Sequence, residues 1–212
     1  MIKNILIAFI FLNGMNTFSQ IEKGRKSIGI SFGDIYNTKE TSEINSSNST
    51  NYSLSTNLNY FVKDNLSFGI KLGYSQSSSI YEVFSDYKQT SISNIPSLGI
   101  TSSQYKKLTD KFYFLFSENL NYSYTISNNS TVNMLTALES KNTTYQNSFQ
   151  LNITPSFLYF IKPKLGIKAT FGSAYYSYSF RGTKNSGTLY NSNSYGLNLS
   201  TSSMSLGLNY YF

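Results

Sequence analysis

Three charged residues lie inside segments that the sequence predicts to be strands, and they are the first candidates for chemistry: Lys71, Glu118 and Lys168. Lys71 and Lys168 alternate with apolar neighbours, so a β-strand turns both lysines away from its apolar face. Glu118 shares its parity with Leu120 and Tyr122, which places it on the apolar face. A bulge, or an inverted assignment of the outer part of this strand, would turn Glu118 toward the lysines.

The sequence offers little else that could perform catalysis or hold a metal. It contains neither His nor Cys, so the many Ser residues lack the usual activating base. No Ser-Lys or paired-carboxylate spacing stands out. Only oxygen ligands remain for a metal, and no EF-hand-like spacing is present. We therefore expect no enzymatic activity and no cofactor.

The formal charge of +7 is unevenly distributed. Nine basic and three acidic residues fall in the N-terminal segment after residue 20 and at predicted short turns, whereas five basic and six acidic residues fall in predicted long loops. Such a basic rim suits anionic phospholipid headgroups. Nucleic-acid binding is not predicted, because it requires a clustered basic face on a soluble fold.

The last ten residues reveal the elements that must position these side chains. Apolar residues occupy one parity and small polar residues the other, with Tyr211 as the exception; the apolar set is Met204, Leu206, Leu208, Tyr210 and Phe212. This period of two predicts a β-strand with one apolar face. In a membrane barrel the apolar face meets lipid and the polar face meets the lumen.

Seven further segments have strand character, and they are residues 27–33, 54–62, 66–74, 91–105, 111–124, 149–159 and 165–175. Polar stretches at 34–52, 76–90, 125–145 and 181–193 predict long loops, which alternate with short turns at 63–65, 106–110 and 162–164. The sequence therefore predicts an all-β fold, an eight-stranded antiparallel up-and-down transmembrane β-barrel. Lys71 and Lys168 would then face its lumen. Inward orientation is favoured for Glu118 too, because a charge facing lipid is costly.

Several positions interrupt the alternation. Pro96 and Pro155 lie inside predicted strands, so we expect bulges or local distortion there. Apolar residues change parity near Ser202, which indicates a bulge or a strand portion above the membrane. The run 112–116 is apolar at every position, so its sequence does not indicate which side chains face lipid and which face the lumen.

The N-terminus is typical of a secretory signal peptide. Lys3 precedes an apolar core at 5–12, and small residues allow cleavage after Ser19. We assign residues 1–19 to the signal peptide and residues 20–212 to the barrel domain.

Two hairpins resemble each other: residues 60–66 (Tyr-Phe-Val-Lys-Asp-Asn-Leu) and residues 159–165 (Tyr-Phe-Ile-Lys-Pro-Lys-Leu). Either an ancestral duplication or convergence of interfacial hairpins explains this repeat. In both hairpins the Tyr and Phe are expected at the lipid–water boundary and the Lys near headgroups.

These hairpins, the Gly-x-Lys-x-Gly of residues 69–73 and the C-terminal Leu-Gly-Leu-Asn-Tyr-Tyr-Phe resemble small outer-membrane β-barrel proteins of the OmpA/OmpX-like, porin-family type. The resemblance implies a monomer in the outer membrane of a Gram-negative bacterium, in contact with outer-membrane lipid and with periplasmic termini. It also implies that Leu206, Leu208, Tyr210 and Phe212 form a signal to the barrel-assembly machinery. Barrel enzymes of this type depend on a His that is absent here.

Three functions stay open from the sequence. The first is a non-enzymatic envelope protein that stabilises the membrane or binds an extracellular partner through its loops, with Lys71, Glu118 and Lys168 forming a lumen salt bridge. The second is a narrow passive channel for ions or small solutes, lined by the same three residues. The third is a soluble lipocalin-like barrel that binds a small ligand.

Overall fold

The structure is a computed structural model that describes residues 21–42, 44–83, 86–183, 189–198 and 204–212. The signal peptide predicted at 1–19 lies outside these residues. Ten strands account for most of the described chain. They are β1 (Lys26–Thr41), β2 (Asn45–Lys63), β3 (Leu66–Val83), β4 (Tyr87–Lys107), β5 (Phe112–Asn133), β6 (Glu139–Lys162), β7 (Leu165–Thr170), β8 (Ser173–Thr183), β9 (Leu189–Asn198) and β10 (Ser205–Tyr211).

These ten segments close into a ring of eight antiparallel barrel strands, which confirms the predicted fold class. We call each of the eight a wall, because two of them consist of two separate strand segments. β1 to β6 pair in sequence order and form six walls. β7 and β8 both pair with β6 and together form the seventh wall. The eighth wall consists of β9, which pairs with β8, and β10, which pairs with both β7 and β1 and so closes the ring.

The two faces of each wall differ as the sequence predicts. On β3, Phe68, Ile70, Leu72 and Tyr74 point outward and are 40–50% exposed. The residues between them point inward, and Lys71 lines the interior. Equivalent outward residues on β1, β2, β4, β5, β6 and β10 are exposed as well. Exposed apolar surface on this scale marks a surface that contacts something other than water.

The long loops predicted at 34–52, 76–90 and 125–145 are wrong over most of their length, because the strands continue through them. Residues 184–188 of the loop predicted at 181–193 lie outside the described residues. β2 to β6 are 18 to 24 residues long, whereas about 9–11 residues cross a bilayer. We call the end that holds Ile21, Phe212 and the turns after β2, β4 and β6 the terminal end. We call the band of outward, exposed apolar side chains the apolar belt. The opposite end, where the strands extend beyond this belt, is the projecting end.

Hydroxyl and amide pairs connect the strands of the projecting end. The hydroxyls of Ser93 and Ser127 lie 2.7 Å apart, and the Thr143 hydroxyl donates to Asn128 over 3.0 Å. Both faces of these strands are polar, so the sequence carries no alternation there that would distinguish a strand from a loop. Backbone pairing between neighbours nevertheless continues nearly to the turns.

The described strands do not form a closed ring at the projecting end. β1 bulges between Gly33 and Tyr36, and its outer portion pairs with β2. β9 lies at the end of the strand order, and among the described residues its second edge pairs with no strand. Lys39 and Glu40 lie on the outer portion of β1, and charges on an edge strand discourage pairing with another chain.

The two prolines behave differently. Pro96 remains in register opposite Tyr74, and pairing with β5 skips the proline without a register shift, so the bulge expected there does not form. Beside Pro155 a distortion does form, but in the neighbouring wall. Ile153 lies opposite Ala174 and Ser156 opposite Thr170, so that wall contains one extra residue.

The extra residue lies at the junction of β7 and β8, where Gly172 has a φ of +70°. It reverses the phase of the seventh wall. Lys168 on β7 and Ser173 at the start of β8 both face the interior, although their parities differ. Tyr175 has the same parity as the outward Ile167, yet because of the extra residue it points inward, over Gly196.

The eighth wall also changes phase. Leu197 and Met204 are both exposed despite their different parities, as the sequence predicts. The position predicted for the change, near Ser202, lies in a part of the chain that the structure does not describe.

The lumen wall depends on glycines that leave room for neighbouring polar groups. A Cβ at Gly69 would overlap the carbonyl oxygen of Leu58 and the side chain of Asn59. We expect Gly69→Ala to lower the free energy of unfolding by about 1–3 kcal/mol, the usual cost of overpacking. The measurement is the loss of the fast-migrating folded form on a denaturing gel as the sample is heated.

Gly196→Ala is the matched control, because its Cβ would lie 3.3 Å from the Tyr175 hydroxyl, at the end of a long side chain. Equal effects of the two substitutions would contradict the packing described for Gly69.

Candidate functional site: the barrel lumen

An apolar plug fills the lumen at the terminal end. Its members point inward from five walls and the N-terminal segment, and each is at most 3% exposed: Ile21, Phe61, Tyr105, Tyr113, Leu115, Leu158 and Tyr211. Phe160 packs against them. Buried apolar side chains of this number fill the narrow interior of an eight-stranded barrel.

Aromatic contacts connect the plug across the lumen. The ring centroids of Phe61 lie 5.2 Å from Tyr105 and 6.2 Å from Tyr211. Phe160 lies 5.0 Å from Tyr211 and meets Tyr113 edge-on at 5.5 Å. The hydroxyls of Tyr105 and Tyr211 interact with each other. Apart from the Tyr113–Phe160 contact, which joins the paired strands β5 and β6, these contacts join walls that are not neighbours, so the plug connects the barrel across its lumen.

The N-terminal segment, residues 21–25, covers the plug at the terminal end of the lumen. The Gly24 amide donates to the Phe61 carbonyl at 2.8 Å, and the Lys23 amide donates to the Asp64 carboxylate at 2.8 Å. The Asn65 amide donates to the Ile21 carbonyl at 3.0 Å. Together these bonds hold the Ile21 side chain against the plug.

The similar hairpins share more than their sequence. Each has a register shift at the same place, between Phe61 and Lys63 and between Phe160 and Lys162. The expectation for their aromatic residues is half wrong, because only the tyrosines point outward. The phenylalanines Phe61 and Phe160 turn inward to the plug.

Sequence reasoning missed the plug, although three of its residues, Tyr113, Leu115 and Tyr211, lie at positions that break the alternation. Tyr211 breaks the alternation of the last strand, and the run 112–116 shows no phase. At the terminal end the inward positions are apolar as well as the outward ones. The coincidence of these exceptions at one end of the strands was the available signal.

A polar cavity of about 360 Å³ lies directly on the plug. Tyr105 and Leu115 belong to both, so the plug forms the cavity floor. The walls consist of hydroxyl, amide and glycine residues together with Lys71 and Lys168. None of the described side chains that line the cavity is acidic.

The structure brings the two lysines together as predicted. β3 carries Lys71 and β7 carries Lys168, and these walls lie opposite each other in the ring of eight. Each lysine lies beside a glycine on a neighbouring strand, Gly99 for Lys71 and Gly207 for Lys168. The two positive charges are close enough to repel each other.

Glu118 does not join the lysines, so the expected inward orientation is corrected. Its neighbours Ser117 and Asn119 line the cavity, and β5 pairs without a register shift on both sides. Glu118 therefore lies on the outward face, opposite Ser102 and Ile153. The surrounding side chains leave it only 2% exposed.

Rows of aromatic residues bound the outward apolar belt. Toward the projecting end, tyrosine hydroxyls donate to amide oxygens: Tyr52 to Gln76, Tyr74 to Asn94, Tyr122 to Asn147 and Tyr176 to Asn193. Toward the terminal end lie Tyr60, Tyr159 and Tyr210. Tyr52 and Tyr60 are eight residues apart on β2, which is about 20 Å along the axis of a tilted barrel.

The C-terminal residues predicted as an assembly signal belong to this belt. Leu206, Leu208, Tyr210 and Phe212 are all exposed on one face of the last wall. The backbone of Leu206, Leu208 and Tyr210 is nevertheless paired on both sides, with β1 and with β7, and Phe212 pairs with Lys26 of β1.

Charges at the projecting end pair locally. Glu82 and Lys88 lie 2.6 Å apart on facing strands, and Glu139 lies 2.9 Å from Lys141. The pKa of Glu139 is lowered because Lys141 and Ser130 donate hydrogen bonds to its carboxylate. This pairing is therefore lost only as the pH falls through that lowered pKa.

Other kinds of site find no support in the described ranges. No group of three or more metal-ligating Asp or Glu side chains occurs among the described residues. No helix in the described part of the chain is long and apolar enough to span a membrane.

No protein-family model and no curated protein matches the chain. Solved structures with a similar course include Neisserial surface protein A, 15% identical over 90% of this chain and 98% of that one, with a TM-score of 0.38. A major outer membrane protein from Thermus thermophilus is 11% identical over 90% of this chain and 100% of that one, with a TM-score of 0.49. Likeness this distant assigns no function, and the fold assignment rests on the strand pairing described above.

The belt makes a prediction about lipid contact. The chain contains no Trp, so Leu72→Trp and Ile80→Trp each create a single fluorescent reporter. Both positions lie on the same face of β3, but only Leu72 falls inside the belt. In vesicles we expect brominated lipid to quench Trp at position 72 strongly and Trp at position 80 weakly. Equal quenching would place the belt boundary elsewhere than at Tyr74.

Proposed function

We propose that this protein is a non-enzymatic, non-conducting barrel of the outer membrane of a Gram-negative bacterium that displays a polar β-sheet at the cell surface. The observation that carries the proposal is the length of the strands. They continue for seven to eleven residues beyond Tyr52, Tyr74 and Tyr122, which is roughly 20 Å or more of paired backbone outside the belt.

The membrane location rests on the belt and its aromatic rows. A closed barrel leaves no unpaired backbone within the hydrocarbon region, which lipid requires. Outward residues such as Ile70 and Leu208 are half exposed, and their burial in lipid is favourable at about 25 cal/mol per Å². The same surface speaks against a soluble ligand-binding barrel.

The plug speaks against the channel function. Phe61 and Leu158 are completely buried in the lumen, so a solute entering the cavity meets an apolar floor. Glu118 lies outside the lumen, which removes the one acidic residue proposed to line a pathway. The cavity therefore ends at the plug instead of continuing to the terminal end.

The charge distribution supports an orientation with the terminal end in the periplasm. Lys63, Lys107, Lys111 and Lys162 all lie at this end, where anionic headgroups would attract them. In this orientation the outward C-terminal face, with Tyr210 and Phe212, would be presented to the assembly machinery from the periplasm before the ring closes. A monomer fits the proposal, because one chain completes the ring.

Conductance across a planar bilayer tests the plug. We expect the purified barrel to give no steady openings. A variant with Phe61→Ala and Tyr113→Ala should conduct, because two aromatic rings leave the cavity floor. Heat-dependent gel mobility controls for folding. Steady openings of the unmodified protein that change on Lys71→Ala would favour the channel function.

Epitope insertion tests display and orientation together. One epitope is placed after Leu135, which is 77% exposed in the turn between β5 and β6. The matched control carries the same epitope after Thr109, in the turn between β4 and β5. On intact cells we expect antibody to bind only the first variant, and both after the outer membrane is permeabilised. Labelling of only the second on intact cells would reverse the orientation.

A further inference from the structure

We propose that the lumen cavity binds a small oxyanion, such as phosphate, sulfate or a compact carboxylate, between Lys71 and Lys168. This site is independent of the display function, because it depends on the interior of the barrel and not on the projecting sheet. The cavity volume of about 360 Å³ falls within the range of small-molecule sites.

The charges of the cavity specify an anion. Lys71 and Lys168 reach inward from opposite walls and repel each other. No described side chain lining the cavity is acidic, and Glu118 lies on the other face of its strand. An anion held between the two ammonium groups would turn this repulsion into two charge-assisted hydrogen bonds.

The strand register builds an arc of amides between the lysines. Lys71 lies opposite Asn57, Asn57 opposite Gly29, and Gly29 opposite Asn209. Asn209 is a diagonal neighbour of Lys168, which lies opposite Gly207. Because Gly29 has no side chain, the amide oxygens of Asn57 and Asn209 both approach it closely. Counting the walls that carry the lysines, the arc follows five successive walls from one lysine to the other.

One donor in this arc points to a ligand. Asn209 lines the cavity and is only 4% exposed, yet its Nδ2 has no hydrogen-bond partner among the described residues. A buried donor without a partner costs about 1–3 kcal/mol. An oxyanion between the lysines would accept this hydrogen bond. Hydroxyls such as Thr101 and Thr170 offer further donors on the cavity wall.

The experiment measures thermal unfolding of the refolded full barrel in zwitterionic detergent as sodium sulfate or sodium phosphate replaces sodium chloride at constant ionic strength. Mass action predicts that a ligand of the folded state raises the unfolding midpoint in a saturable way. We expect this rise in the unmodified protein. Lys71→Gln and Lys168→Gln should each weaken the apparent affinity at least about tenfold, through loss of a charge-assisted bond.

Lys164→Gln is the matched control, since it removes the same charge at the exposed terminal end and should leave the rise unchanged. Lys71→Arg and Lys168→Arg keep the charge and should keep the effect, which guards against variants that simply fold poorly. Vesicles of phosphatidylcholine with and without phosphatidylglycerol separate a free anion from a lipid phosphate. The proposal is overturned if sulfate and phosphate act like chloride, if both Gln variants retain the full rise, or if only phosphatidylglycerol stabilises the barrel.

Discussion

Closure of the ring between β1 and β10 is the constraint on which the other features depend. Residues 27–33 pair with residues 205–211 in unbroken register, so the first and last strands have no free edge within the belt. Lipid offers no hydrogen bonds to an unpaired backbone. Closure therefore permits the outward face of the belt to be largely apolar. It also confines every polar side chain of these strands to a lumen narrow enough for opposite walls to interact.

The sequence identifies the belt well because lipid and lumen impose opposite demands on alternate residues. Period-two alternation at 66–74 and 204–212 predicted both the strands and their faces correctly. Beyond the belt this demand disappears, since both faces of the projecting strands meet water. Ser, Thr and Asn then satisfy either a loop or a strand, and only pairing with neighbours distinguishes the two. The stretch 125–145 is the clearest example, predicted as a loop but paired across most of its length.

Departures from alternation have physical causes that a single strand does not reveal. Tyr211 points into the lumen because the plug needs apolar side chains where the small residues of the wall end. Tyr175 turns inward because one extra residue, near Gly172 and opposite Pro155, reverses the phase of its wall. Both effects depend on neighbours distant in sequence. Tyr211 is visible in the sequence as an exception to the alternation, whereas Tyr175 keeps the parity of Ile167, and only the register of the next wall explains where either residue points.

In the candidate site, too, alternation predicts some orientations correctly and only the strand register reveals the others. Alternation placed Lys71 and Lys168 in the lumen correctly, and the strand order then makes their walls opposite. For Glu118, the cost of a charge facing lipid predicted an inward orientation although its parity predicted an outward one, and the inward prediction was wrong. The register holds Glu118 outward, and its neighbours shield it instead of the strand bulging. A change of phase in β5 that turned the Glu118 carboxylate into the lumen would also have turned Leu120 and Tyr122 inward, at a greater cost in apolar burial. The cavity consequently keeps its two lysines without that acid, and this gives the lumen its positive character.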